Sequence, residues 1–73
     1  MIKDTITISA CKTCDRISMK WIRDLITHEE YIQALNDANR TYMDIIESFE
    51  ICGQLSEADA DDLRLYVTVR FSE

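Results

Sequence analysis

The sequence predicts a small, mainly α-helical bundle of about three helices, with a short extended segment before the first helix. Three observations favour this fold: the 73 residues contain no proline and one glycine, apolar residues recur at helical spacing, and two N-terminal capping patterns divide the chain. A chain of this length is expected to form a single domain, residues 1–73, that hides only ~60% of its unfolded surface. We therefore expect a small core.

The N-terminal part of the chain contains a segment of alternating apolar and polar residues, followed by an amphipathic segment. In residues 5–9, isoleucine alternates with threonine or serine, a pattern typical of a short strand or extended segment. Apolar side chains then follow at helical spacing: Ile17, Trp21, Ile22, Leu25 and Ile26. We expect a helix that begins between Ser9 and Asp15 and continues to Ile26.

The second helix has the clearest pattern. Thr27 followed by Glu30 matches a capping box, in which each side chain hydrogen-bonds with the other residue's backbone N–H. Seven residues then form a heptad line: Tyr31, Leu35, Ala38, Tyr42, Ile45, Phe49 and Cys52. Gly53 is a natural C-terminal stop. The alternative is one continuous helix through Thr27, since residues 15–52 contain neither glycine nor proline.

The last element has two interpretations. Ser56 and Asp59 match another helix start, with an acidic first turn that favours the positive end of the helix. Residues 63–71, however, alternate apolar and polar side chains as a strand does. We favour a helix, because the cap needs an element that starts at Ser56. The alternative is an α+β fold in which N- and C-terminal strands pair.

The charge is polarised along the chain. Residues 1–36 contain five acids and five bases, whereas residues 37–73 contain nine acids and three bases, which accounts for the net charge of −6. Seven carboxylates between Arg40 and Arg64 have no base among them: Asp44, Glu47, Glu50, Glu57, Asp59, Asp61 and Asp62. We predict that these seven residues bind a partner protein. Their carboxylates would imitate the charge of a DNA backbone and occupy the basic groove of a nucleic-acid-handling protein. The alternative is an ordinary solubilising surface.

In size, acidity and lack of catalytic motifs, the chain resembles the small inhibitors encoded by bacteriophages, among them anti-CRISPR proteins. The resemblance is one of type, with no family motif behind it, and it assigns no residue roles. It implies a phage protein that acts as a non-enzymatic inhibitor. We accordingly expect no catalytic residues and no cofactor, because the sequence has no glycine-rich phosphate loop, no nucleophile motif and no metalloprotease motif.

A line of basic residues along the first predicted helix, which we call the basic line, gives a second hypothesis for the function. Four bases recur at helical spacing: Lys12, Arg16, Lys20 and Arg23. Such a helix is typical of a small DNA- or RNA-binding regulator. The sequence pI of about 4.6 argues against it, since the acidic half would repel phosphates. Direct nucleic-acid binding is therefore the alternative hypothesis.

Two cysteines with C-x-x-C spacing supply the third hypothesis. Cys11 and Cys14 match half of a zinc site, which His28 and Cys52 would complete. On one helix, however, His28 and Cys52 lie ~36 Å apart, so we predict no metal ligands. The corner of extended segment, C-x-x-C and helix resembles thioredoxin-like proteins, which implies thiol redox chemistry, but the chain lacks that family's cis-proline. The alternative is that Cys14 packs with Ile17 and Trp21, while Cys52 ends the heptad line.

The remaining expectations concern location and assembly. No apolar run approaches the ~18 residues of a membrane span, and the N-terminus lacks the layout of a secretion signal. An odd number of cysteines without export features favours reduced thiols. We expect a cytoplasmic protein that does not bind membranes. A homodimer is a further hypothesis, through the spare apolar residues Ile32, Met43 and Ile46.

Overall fold

The computed structural model describes residues 1–72, which form three α-helices: α1 (Ile2–Ile22), α2 (His28–Ile51) and α3 (Glu57–Arg70). Each helix packs against the other two. Helix α3 lies parallel to α1. Two contacts show this: Lys3 meets Asp59 near the first turns of both helices, and Cys14 meets Arg70 further along both. The prediction of a three-helix bundle is confirmed. Residues 1–72 contain no strand, so the α+β alternative is not supported.

The predicted extended segment before the first helix is wrong, because α1 already begins at Ile2. A strand would place Ile6 and Ile8 on the same face, whereas the helix buries Ile6 at 5% exposure and leaves Ile8 54% exposed. The Thr7 hydroxyl donates to the carbonyl oxygen of Lys3 at 2.9 Å, so threonine is accommodated within the helix. Local β propensity is overruled by the helical spacing of the residues that reach the core.

The break between α1 and α2 is confirmed, although α1 ends at Ile22 rather than Ile26. The Leu25 N–H donates to the Lys20 carbonyl and the Asp24 N–H to the Trp21 carbonyl, which together form a Schellman motif. Asp24 adopts a φ of 58°, the left-handed conformation that glycine usually supplies. Because aspartate occupies this position, the sequence contains no obvious stop signal there.

Both predicted N-caps are present. The Thr27 side chain accepts from the Glu30 N–H at 3.1 Å, and the Glu30 carboxylate accepts from the Thr27 N–H at 3.0 Å. Ser56 caps α3 by accepting from the Asp59 N–H at 3.1 Å. Between α2 and α3, Gly53 has a φ of 83° in a second Schellman turn, which confirms its predicted role as the stop of α2.

The alternating residues of α3 show why helix is favoured over strand. Leu63 and Val67, four residues apart, are almost fully buried, while Leu65 and Val69 are 66% and 65% exposed. A strand would bury all four on one face. The helix therefore buries three of the five alternating apolar residues, with Phe71 as the third, and leaves Leu65 and Val69 at the surface.

The heptad line of α2 faces the core only in part. Leu35 and Tyr42 are buried, but Cys52 lies at the C-cap and is exposed, so the prediction that it ends the core line is wrong. Ile46, which the heptad line omits, has no exposed surface at all. The prediction that Ile46 is spare for a second copy is therefore also wrong, and Met43 packs against the core as well.

The core occupies one part of the molecule. Ten residues form it: Ile6, Ala10, Leu35, Tyr42, Ile46, Leu55, Ala60, Leu63, Val67 and Phe71. No residue from 11 to 34 is buried. Since α3 has 14 residues against 21 and 24 in the other helices, α1 and α2 continue past its end. Residues 18–34, which we call the hairpin tip, pair without a third helix in a molecule 41 Å long.

Candidate partner-binding surface

The seven predicted acidic residues lie on the second half of α2 and on the first two turns of α3. We call this set, with the two cations that contact it, the acidic end. Five of the seven are exposed, and Glu50 and Asp59 are half-buried. The structure folds α3 back along α2 through the turn around Gly53, and Arg64 thereby joins Glu50 of α2 to Asp61 of α3. It also brings Lys3 to them from α1, which sequence reasoning did not foresee.

One group of these carboxylates lies between α2 and α3. Arg64 forms ion pairs with Glu50 on α2 and with Asp61 one turn earlier on its own helix, the latter at 3.0 Å. The pKa of the Arg64 guanidinium is raised, foremost by its hydrogen bond with Glu50. Glu50 thus serves the contact between α2 and α3 as well as the surface charge, whereas Asp61 is paired within α3.

A second group lies between α1 and α3. The Lys3 ammonium is 3.1 Å from the Asp62 carboxylate and 3.4 Å from that of Asp59. These contacts raise the pKa of Lys3, with the Asp62 hydrogen bond as the largest cause. The acidic residues of α3 therefore project to two sides of the helix, rather than to one flat face.

The other three members, Asp44, Glu47 and Glu57, are exposed, and no cation lies within 4 Å of them among residues 1–72. Seven carboxylates less the charges of Lys3 and Arg64 leave a net charge of −5 at the acidic end. The surface is strongly negative, and its unpaired charge is concentrated on the last turns of α2 and the first turn of α3.

The four bases of the predicted basic line are all exposed on α1. Within the described chain, none of Lys12, Arg16, Lys20 and Arg23 has a carboxylate oxygen within 4 Å. They lie along the part of α1 that leads into the hairpin tip. The line is therefore a solvated cationic surface on a different part of the molecule from the acidic end.

The C-x-x-C pair lies in the middle of α1 and faces α3. The Cys11 sulfur accepts a hydrogen bond from the Arg70 guanidinium at 3.2 Å, and the Cys14 thiol donates to the Arg70 carbonyl oxygen at 3.3 Å. This position contradicts the thioredoxin-like corner, which needs the cysteines at a helix N-terminus. The cation beside Cys11 comes instead from α3.

The zinc hypothesis receives no support from the geometry. His28 begins α2 and Cys52 follows its end, so the four proposed ligands are spread over the length of the molecule. In the described residues, no three histidine, cysteine or acidic side chains are grouped closely enough to hold a metal ion. Residues 1–72 also contain no cleft or cavity. Any partner of this chain would thus meet an open surface.

Sequence reasoning missed the exposed apolar side chains of the hairpin tip. Trp21 stacks on Tyr31 with ring centroids 4.5 Å apart, yet Trp21 remains 40% exposed. Ile22 and Leu25, which belong to the apolar spacing of the first predicted helix, are 67% and 69% exposed. The available signal was length: the predicted second helix is much longer than the third, so part of it had to lack a third partner.

None of the helices in residues 1–72 is long and apolar enough to cross a membrane. No protein-family model, curated protein or solved structure matches this chain. Functional inference therefore has to come from the surfaces described above.

Proposed function

We propose that this chain is a small, non-enzymatic protein-binding module whose acidic end engages the cationic groove of a nucleic-acid-handling protein. An inhibitor of the phage type, acting as a DNA mimic, is the specific form of this proposal. The observation that carries it is the net charge of −5 on the second half of α2 and the first two turns of α3, with Lys3 and Arg64 included. A compact negative surface attracts cationic partners and speeds their encounter.

The contacts divide the acidic residues by role. Within residues 1–72, no cation is paired with Asp44, Glu47 or Glu57, so a partner's lysines or arginines would meet them without displacing an ion pair described here. Glu50 and Asp62 are already paired with Arg64 and Lys3. We therefore assign partner contact chiefly to the first three residues. The paired carboxylates hold the helices that present them.

The test neutralises the unpaired set in one variant, Asp44→Asn, Glu47→Gln, Glu57→Gln. A matched control changes the charge equally at exposed positions outside the acidic end: Asp24→Asn, Glu29→Gln, Asp37→Asn. Each protein is used as bait in a host lysate, and captured proteins are identified and titrated. We expect a captured nucleic-acid-binding protein whose affinity falls at least about tenfold in the first variant, from three lost charge pairs. The control should bind normally.

Competition provides a second measurement. If the acidic end occupies a nucleic-acid groove, duplex DNA should release the captured protein, because both ligands need the same cations. Equal binding by both variants, or capture that DNA does not affect, would contradict the proposal. Mass measurement in solution would show in the same preparation whether the chain is a monomer or a homodimer.

The alternative function, direct DNA or RNA binding, rests on the exposure of Lys12, Arg16, Lys20 and Arg23 without carboxylate partners in residues 1–72. It predicts binding to duplex DNA that weakens steeply with salt and is lost when these four bases are neutralised. Wild-type protein that binds DNA directly, with no dependence on Asp44, Glu47 and Glu57, would favour this alternative over the acidic-end proposal.

A further inference from the structure

A group of polar and ionisable side chains at the contact between α1 and α3 is unused by the proposed function. Cys11 lies at its centre and is half-buried. Arg70 donates to the Cys11 sulfur at 3.2 Å and to the Asp15 carboxylate at 3.3 Å. Burial, and after it the charge of Cys11, raises the pKa of the nearby Tyr66 phenol. Three residues from two helices thus surround one thiol.

The Arg70 contact matters because the thiolate, rather than the thiol, is the nucleophile. A guanidinium 3.2 Å from the sulfur donates its hydrogen bond most strongly to the charged form. The pKa of Arg70 is raised, with Cys11 as the largest cause, which shows the same attraction from the side of the cation. Asp15 opposes it: the Cys11 thiol donates to this carboxylate at 4.0 Å, and Asp15 also shares Arg70.

We propose that Cys11 is a site of oxidative modification, the thiol of this chain that small hydroperoxides attack first. The Cys11 thiolate sulfur attacks the terminal peroxide oxygen, the O–O bond breaks, and sulfenic acid forms. The sulfur loses two electrons, the peroxide gains them, and the departing hydroxide or alkoxide takes a proton from water. The sulfenic acid is neutral, so the charge-assisted contact with Arg70 weakens.

Cys14 does not resolve this product. In an α-helix, Cβ atoms three residues apart lie about 5–6 Å from each other, whereas a disulfide needs about 3.5–4.5 Å. Its thiol is also engaged with the Arg70 carbonyl oxygen at 3.3 Å. A Cys11–Cys14 disulfide would require α1 to unwind locally. The sulfenic acid at Cys11 should therefore persist long enough to be trapped.

Cys52 is the internal comparison. It is exposed at the C-cap of α2, and its thiol donates to the Phe49 carbonyl oxygen at 3.4 Å. Among the described residues, no arginine or lysine nitrogen is hydrogen-bonded to Cys52. Exposure alone therefore predicts that Cys52 reacts first, whereas the Arg70 contact predicts that Cys11 does. Which of the two cysteines reacts first therefore distinguishes the two explanations.

The experiment treats the full, reduced chain with hydrogen peroxide at pH 7 in the presence of a diketone that traps sulfenic acids. Mass spectrometry of peptides then follows each cysteine separately. We expect Cys11 to be labelled before Cys52. Labelling of Cys52 first, or a Cys11–Cys14 disulfide in place of the trapped product, would overturn the proposal.

Two variants test the mechanism in opposite directions. Arg70→Met should lower the ratio of Cys11 to Cys52 labelling roughly threefold, because the guanidinium no longer donates its charge-assisted hydrogen bond to the Cys11 sulfur. Asp15→Asn should raise the ratio, since it removes the competing carboxylate. If Arg70→Met unfolds, which circular dichroism would reveal, Asp15→Asn still decides the question. An unchanged ratio in Asp15→Asn, or in folded Arg70→Met, would contradict the assigned role of Arg70.

Discussion

The three-helix region and the hairpin tip contain similar fractions of apolar residues, yet only the three-helix region has a core. All ten buried residues lie outside residues 18–34. The hairpin tip contains Met19, Trp21, Ile22 and Leu25, each at least 40% exposed. Two packed helices cover one stripe of each other, and a third helix is needed to enclose the side chains between them. The difference shows that burial here depends on the number of neighbouring helices rather than on hydrophobicity.

The two regions also differ in what holds them together. In the three-helix region, the Tyr42 hydroxyl hydrogen-bonds with Ser9 at 2.6 Å and Thr13 at 3.0 Å, and the Tyr42 ring stacks on Phe71 at 5.6 Å. In the hairpin tip, the corresponding contacts are the Trp21–Tyr31 stack and the capping box at Thr27. We expect local unfolding of the hairpin tip to cost less free energy than unfolding of the three-helix region.

The largest expected effect comes from truncating a leucine in each region. Leu63 is 1% exposed and Leu25 is 69% exposed. Leu63→Ala should lower the free energy of unfolding by about 2–5 kcal/mol, because it leaves a cavity among three helices. Leu25→Ala should change it by no more than ~0.5 kcal/mol. Thermal and urea unfolding measure both variants, and comparable losses would contradict the division into two regions.

A pair of cap variants sharpens the comparison. Thr27→Ala and Ser56→Ala each remove one side-chain cap, at a typical cost of about 1 kcal/mol to the helix. Because Thr27 lies in the hairpin tip, we expect its loss to appear mainly as faster amide hydrogen exchange around residues 27–34. Ser56→Ala should instead reduce global stability. Equal changes in global melting would indicate that the tip and the three-helix region unfold as one unit.

The smallest expected effect concerns alkaline pH. The folded-state pKa of Lys3 is raised by Asp62 and Asp59, so its ion pairs stabilise the fold fully below the unfolded pKa near 10.5. That contribution is lost as pH rises through the higher folded pKa. The melting temperature of wild type should exceed that of Lys3→Gln slightly at pH 7, and the difference should shrink above pH 11. A difference that persists there would show that packing of the Lys3 side chain, rather than its charge, is responsible.

The sequence predicted which helices form better than it predicted where they begin and end and which side chains they bury. The caps at Thr27 and Ser56 and the stop at Gly53 were identifiable because each depends on residues a few positions apart. The start of α1 at Ile2 was not, since Ile6 and Ile8 fit a strand locally and only packing separates the buried Ile6 from the exposed Ile8. The stop at Ile22 was missed because Asp24, rather than glycine, adopts the left-handed conformation.

The candidate surfaces were likewise predictable only in part. The clustering of acidic residues in the second half of the chain was visible from composition, and their part in partner binding stays a prediction. That Lys3 pairs with Asp59 and Asp62, and Arg70 with Cys11, was not visible, because each contact joins residues more than 50 positions apart.

By itself, the sequence determined three helices, two of their caps and the excess of negative charge in the second half, all of which depend on near neighbours in the chain. Only the tertiary structure decided which apolar side chains are buried, which carboxylates are paired and which cysteine meets a cation. The physical reason is that these properties depend on the relative lengths and register of the packed helices. Helix α3 ends level with the middle of α1, and this leaves Trp21 and Leu25 at the surface while it places Arg70 beside Cys11.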